Sequence, residues 1–174
     1  MMICLVSTYH LLGYGCFWWE CAPERNFTIY DIVFPMEFFP PGSPEPVMVR
    51  SKGIVGAKEE AFGGVSGIAR YEFVRFTTFR KAKTWYQTRL EHNIFTSTLE
   101  DPEEYVRIFS YQSKYADEYF IDCGYVFDDL QCLYKARYGE YFVYFNGSVG
   151  DEKLTKDAYL EILDHIDERF SFEK

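Results

Sequence analysis

The sequence predicts one α+β domain over residues 1–174, with a mainly antiparallel sheet and about three helices. Short runs of apolar, aromatic and β-branched residues dominate its first half, which is typical of strands. Helical periodicity appears in the second half and is strongest near the C-terminus. The regular alternation of strands and helices that marks a parallel sheet is missing. A length of 174 residues is within the usual range of a single domain.

In the first half, each strand follows from a local pattern. Residues 3–9 and 15–19 are short apolar runs, and Phe27–Phe34 is rich in aromatic and β-branched side chains. Val47, Met48 and Val49 follow a proline-rich loop, and residues 71–79 alternate with a period of two. Five glycines between residues 53 and 67 predict a loop with irregular strand.

In the second half, helical and strand patterns follow one another. Spacing of apolar side chains predicts a helix over residues 80–94, and Asp101-Pro102 is a typical start for another over 101–112. Strands are predicted over 119–127 and 130–145, the latter bent near Tyr138-Gly139. An amphipathic C-terminal helix is predicted from apolar residues at i, i+3, i+4, i+7 and i+11, namely Tyr159, Ile162, Leu163, Ile166 and Phe170.

Composition bears on compartment. Aromatic residues make up 20% of the chain, which excludes an intrinsically disordered protein. The five cysteines are odd in number and irregularly spaced, which predicts reduced thiols and a cytoplasmic location. Residues 1–19 are uncharged but lack the basic start of a signal peptide, and polar residues interrupt them. They therefore predict a buried strand with a turn rather than a membrane anchor.

Charge is unevenly distributed along the chain. The net charge of −9 divides into −3 for residues 1–50, +4 for 51–99 and −10 for 100–174. On the predicted C-terminal helix, four carboxylates recur at i, i+4, i+7 and i+11 and form what we call the acidic row: Asp157, Glu161, Asp164 and Glu168. A second acidic group comprises Asp117, Glu118, Asp122, Asp128 and Asp129.

Two interpretations of these carboxylates remain open. They are solvated faces that keep the protein soluble, or they dock on a basic surface, since Lys and Arg side chains bind carboxylates and phosphates alike. The sharper prediction is an acidic protein-interaction module. It would be an inhibitor or antagonist, of the phage anti-defence or immunity-protein type, of a nucleic-acid-handling protein. The predicted partner-binding residues are Asp157, Glu161, Asp164, Glu168, Asp117, Glu118, Asp128 and Asp129, helped by exposed tyrosines between 105 and 145.

The basic segment 70–89 suggests a different function. Its six arginines and lysines are interleaved with aromatic residues, a combination that single-stranded nucleic acids bind through stacking and charge neutralisation. The alternative is that most of these aromatics lie in the core, with the basic side chains extending to solvent.

A hydroxyl-rich segment precedes the second predicted helix. Residues 95–105 read Phe-Thr-Ser-Thr-Leu-Glu-Asp-Pro-Glu-Glu-Tyr, and Thr96-Ser97-Thr98 with the helix after it resembles the arginine–serine–glutamate ADP-ribosyltransferases. The resemblance implies an NAD site in which Arg70 or Arg75 holds the NAD and Glu140 orients the reacting ribose. In the alternative interpretation, Ser97 or Asp101 caps the helix.

Other catalytic and metal-binding patterns are weak. The sequence has no C-x-x-C pair, no H-E-x-x-H and no phosphate-binding loop. A thiol nucleophile would have to combine Cys16 with His10 or His92, and a buried, inert cysteine is the favoured interpretation. The sequence thus predicts no metal, no cofactor and no catalytic residue, and it favours a role other than catalysis.

Overall fold

The computed structural model describes residues 16–17, 19–91, 95, 97–98, 108 and 110–171. It is an α+β fold built on one antiparallel sheet. The strands are β1 (Val47–Arg50), β2 (Ala57–Val65), β3 (Ala69–Phe76), β4 (Ser97–Thr98), β5 (Glu118–Val126), β6 (Asp129–Tyr138) and β7 (Tyr141–Ser148). The described α-helices are α1 (Phe79–Leu90) and α2 (Lys156–Arg169), and two 3-10 turns span Ile29–Asp31 and Met36–Phe38.

The sheet runs in the order β1-β2-β3-β7-β6-β5-β4. Six of its strands have four to ten residues, and β4 adds a two-residue edge. The last strand in sequence, β7, lies in the middle and pairs with β3 on one side and β6 on the other. Both pairings are antiparallel, as predicted for the sheet as a whole.

One helix packs against each face of the sheet. Alternate residues of β7 point to opposite faces, as strand geometry requires: Val143 and Phe145 join the cluster that contains α2, whereas Phe142 joins the smaller cluster under α1. The larger cluster also contains buried side chains of the 3-10 segment, so α2 and this segment together cover one face. Its buried members include Ile29, Ile32, Phe34, Tyr71, Phe73, Tyr134, Tyr159, Ile162, Leu163 and Ile166.

Several predicted elements are confirmed and two are wrong. Both described helices and the strands β1, β3 and β5 lie where the patterns placed them. Phe27–Phe34 is not a strand, because its apolar side chains enter the core from a 3-10 turn and extended chain. The glycine-rich region, predicted as a loop with irregular strand, contains the nine-residue β2, whose pairing with β3 shifts register between Ala57 and Glu59. Residues 130–145 are two strands joined by a tight turn, with Gly139 in the left-handed region at φ 59°.

Two expectations lie largely outside the described residues. They are the strand with a turn over residues 1–19 and the helix over 101–112. The described part of the chain therefore has two α-helices, where the sequence predicted about three. None of the described helices is long and apolar enough to cross a membrane.

The prediction of reduced thiols is wrong for the four cysteines that the structure describes. Cys123 and Cys132 face each other across β5 and β6 with their Cα atoms 4.1 Å apart, and they form a disulfide. Cys16 and Cys21 form a second disulfide across a five-residue separation. Spacing along the chain did not reveal the first bridge because antiparallel register, and not sequence proximity, brings those two cysteines together.

Candidate functional site

The acidic row lies on the solvent-facing side of α2. The helix begins at the N-cap Thr155, whose hydroxyl accepts a hydrogen bond from the Ala158 amide at 3.1 Å. The apolar side chains of the opposite side are buried against the sheet. All four carboxylates are exposed: Asp157, Glu161, Asp164 and Glu168. The spacing that predicted one face thus places these carboxylates together on the surface.

The second acidic group does not form one surface. Asp117 and Glu118 lie at the start of β5, and both pair with Arg137 at 2.9 Å. Asp129 lies beyond the other end of β5, where it accepts a hydrogen bond from Ser148 at 2.7 Å. The two ends of a nine-residue strand are roughly 30 Å apart. Asp128 is exposed beside Asp129.

The tyrosines are mostly turned inward. Tyr134, Tyr138 and Tyr141 are buried, whereas Tyr115 and Tyr119 are exposed. Of the tyrosines expected at an acidic surface, the described part of the chain therefore offers these two as exposed contacts.

A buried ion cluster lies at the turn between β6 and β7. Glu140 is fully buried, and its Oε1 lies 3.5 Å from Nη2 of Arg75 and 3.3 Å from Nε of Arg25. Nη1 of Arg75 lies 3.5 Å from Glu59, and Nη2 donates to the Pro23 carbonyl at 2.6 Å. Two guanidinium groups thus face two carboxylates, which compensates the cost of burying these charges. Burial raises the pKa of the neighbouring Tyr141 to about 12, which keeps its hydroxyl protonated at neutral pH.

The residues of the predicted NAD site do not converge. Arg75 and Glu140 do meet, but they form an ion pair with each other. Ser97 and Thr98 pair with Tyr125 and Gly124, near the end of β5 that is remote from the β6–β7 turn. Tyr125 is seven positions along β5 from Glu118, the residue nearest the turn, which is more than 20 Å of extended chain. Arg70 also lies away from the turn, opposite Asn146, and Thr96 and Asp101 lie outside the described residues.

The basic segment 70–89 does not form a stacking surface. Its aromatic residues are largely core: Tyr71, Phe73, Phe76 and Tyr86 are buried. Arg75 belongs to the ion cluster, and Arg89 lies over the Trp85 ring at 4.8 Å and near Glu72. The interleaving of basic and aromatic residues here reflects a strand followed by a helix, each with one buried side.

A cavity of about 200 Å³ lies beside the β6–β7 turn, and no pattern in the sequence predicts it. Only the resemblance to the ADP-ribosyltransferases points to Glu140, and no sequence pattern connects it with Arg25, Phe79, Tyr115 and Phe170. These residues come from five separate segments, so no local pattern links them. The one local pattern that points to this site is an acidic residue in the turn between two aromatic-rich strands.

Comparison with known proteins adds no relative to this description. No protein-family model matches the chain, and no curated protein or solved structure is significantly similar to it.

Proposed function

We propose that this protein is an interaction domain that docks on a basic protein surface through the acidic row of α2. The observation that carries this proposal is the exposure of all four carboxylates along one side of the helix. From Asp157 to Glu168 the row is about 16 Å long, given the rise of 1.5 Å per residue. A lysine- or arginine-rich surface supplies the complementary charge.

Electrostatics favours a charged partner. Like charges four residues apart each cost a helix a few tenths of a kcal/mol, a cost that a basic partner offsets. Among the described residues, neither Glu161 nor Glu168 forms a salt bridge. The net charge of −9 adds long-range attraction, which speeds association and weakens with salt.

The more specific form of the proposal is inhibition. A row of carboxylates occupies the positions that a basic groove offers to phosphates, because arginine and lysine bind both groups. A partner that handles nucleic acids would then be blocked by competition. Asp128 is exposed and extends this proposal to the β5–β6 turn, whereas Asp117, Glu118 and Asp129 already have partners within the chain.

The test compares two charge-reversed variants. Glu161→Lys/Asp164→Lys/Glu168→Lys removes most of the acidic row, and Glu20→Lys/Glu45→Lys/Glu91→Lys makes the same charge change at exposed positions elsewhere. Affinity capture from the native host with the wild-type chain identifies partners, and association rates are then measured at two salt concentrations. We expect the first variant to lose binding by at least tenfold and the second by less than threefold.

Equal losses of affinity in the two variants would show that only the overall charge matters, and not the acidic row. Unchanged binding in the first variant would overturn the proposal. Both variants need an unfolding curve like that of the wild type for the comparison to count.

The two disulfides bear on the cellular compartment in which the protein would meet its partner. Disulfides persist mainly in oxidising compartments, so the two bridges argue against the predicted cytoplasmic location. We therefore place the proposed encounter with a basic partner in an oxidising environment.

A further inference from the structure

The cavity beside the β6–β7 turn lies at the C-terminal end of α2. Its volume is about 200 Å³. Charged groups, aromatic rings and the end of a helix all contribute to its lining. Ten residues line it, among them Arg25, Phe79, Tyr115, Tyr138, Glu140 and Phe170.

Half of the lining residues are aromatic. Phe79 is 44% exposed and Tyr115 is 37% exposed, so both are accessible to an entering group. Tyr138 and Phe170 are buried and stacked with their ring centroids 4.9 Å apart, which fixes the wall they form. Aromatic faces attract cations through their quadrupole, and a planar guanidinium can also stack on them.

Glu140 supplies the polar feature of the lining. Its side chain is 1% exposed, and its Oε1 is already shared by the guanidinium groups of Arg25 and Arg75. Its Oε2 is buried and has no hydrogen-bond partner among the described residues. A buried carboxylate oxygen without a donor is costly, so a donor brought by a ligand is favoured there.

The lining itself carries more acidic than basic side chains. Its charged groups are the carboxylates of Asp117 and Glu140 and the guanidinium group of Arg25. Outside the lining, Arg137 pairs with Asp117 and Arg75 pairs with Glu140. Phe170 and Ser171 also place the C-terminal end of α2 in the wall, and this end of a helix carries a partial negative charge.

We infer that this cavity binds a guanidinium group carried on an alkyl stem, with Glu140 as acceptor and Phe79 and Tyr115 beside the stem. One residue of the wall, Arg25, already places such a group 3.3 Å from the other oxygen of the same carboxylate. An arginine side chain of a protein partner and a free alkylguanidine share this chemistry. The first source rests on the proposed docking function, because the acidic row ends with Glu168 at the same end of α2.

The test begins with a small probe. N-acetyl-arginine amide is titrated into the full chain by calorimetry, and N-acetyl-citrulline amide serves as its uncharged analogue of similar shape. We expect saturable binding of the arginine probe and at least tenfold weaker binding of the citrulline probe. Equal binding of both probes, or no binding of the arginine probe at 10 mM, would overturn the inference.

Variants then locate the binding. Phe79→Ala should weaken the arginine probe at least fivefold, whereas Phe120→Ala, at a phenylalanine that is 38% exposed and outside the lining, should leave it unchanged. Glu140→Gln should abolish the preference for arginine over citrulline. Glu140→Gln also disturbs a buried ion pair. If that variant does not fold, the comparison of Phe79→Ala with Phe120→Ala decides the test alone. Equal effects of the two alanine variants would contradict the site.

A basic peptide distinguishes the two sources and separates this inference from the docking proposal. The peptide carries one arginine between lysines and is compared with the single-residue probe on the wild type and on Glu161→Lys/Asp164→Lys/Glu168→Lys. Tighter peptide binding that the row variant removes supports a partner's side chain. If the small probe binds and the row variant leaves peptide binding unchanged, the cavity proposal is supported and the docking proposal is overturned. If the row variant loses peptide binding and Phe79→Ala has no effect, the docking proposal is supported and the cavity proposal is overturned.

Discussion

Asp167 shows how one residue within a charged pattern can have the opposite role from its neighbours. It lies on α2 between the exposed Asp164 and Glu168, yet it is buried. Its Oδ1 accepts hydrogen bonds from the hydroxyls of Ser113 and Tyr138, and its Oδ2 accepts one from the Lys114 amide at 2.7 Å. Asp167 thus fastens the segment before β5 to α2.

We expect Asp167→Ala to lower the free energy of unfolding by about 3 kcal/mol, because buried donors lose a charged acceptor. Glu161→Ala, at an exposed position of the same helix, should change it by less than about 0.5 kcal/mol. Urea unfolding of the two variants and the wild type gives both values. Similar small losses in both would show that the bonds of Asp167 contribute little.

The sequence did contain a signal for Asp167. Asp167 lies four residues after Leu163, in line with the buried face of the helix, whereas the acidic row continues through Asp164 to Glu168. Helical spacing therefore separates the exposed carboxylates from the buried one. What it cannot supply is the donor set, because Ser113 and Tyr138 come from distant segments.

Among the elements, β2 is longer than the irregular strand that the sequence predicts, for a physical reason. Glycine weakens a strand and usually marks a close approach of backbone. A Cβ atom on Gly63 would lie 1.9 Å from the Val47 carbonyl oxygen, and one on Gly64 would lie 2.3 Å from the Ala69 carbonyl oxygen. The glycines that suggested a loop are thus the residues that allow β1 and β3 to approach β2.

The Cys123–Cys132 disulfide links the two strands of the β5–β6 hairpin. Closing a loop between residues nine apart in sequence stabilises a fold by about 2–3 kcal/mol through the entropy of the unfolded chain. Cys123→Ala/Cys132→Ala should lower the free energy of unfolding by that amount, as measured by urea unfolding. In a reductant that opens both bridges, the difference from the wild type should shrink to about 1 kcal/mol or less. A difference that persists undiminished would assign the effect to side-chain packing instead.

For the molecule as a whole, the sequence predicted the α+β class, the antiparallel sheet and a row of carboxylates on one face of the C-terminal helix. Periodicity carries these features, because each depends on which side of one element is apolar. The strand order, the disulfides and the cavity depend on contacts between distant segments, for which the chain offers no local pattern. Arg25 and Glu140, for instance, are 115 residues apart in sequence.

Counting the free thiols tests whether both disulfides form in the protein. The chain has five cysteines, and the two bridges use four of them. Protein purified without reductant and denatured in guanidinium should therefore react with no more than one equivalent of a thiol reagent. After reduction it should react with five. Five equivalents before reduction would contradict the bridges and restore the cytoplasmic prediction.

The central position of β7 has a consequence for synthesis on the ribosome. β3 and β6 belong to two separate sets of neighbouring strands, and β7 joins them. A nascent chain that ends before Tyr141 therefore holds two incomplete sheets, each with an open edge that can pair with another chain. We expect the sheet to close only when the last strand has emerged, so premature release of the chain is a route to aggregation rather than to a smaller folded domain.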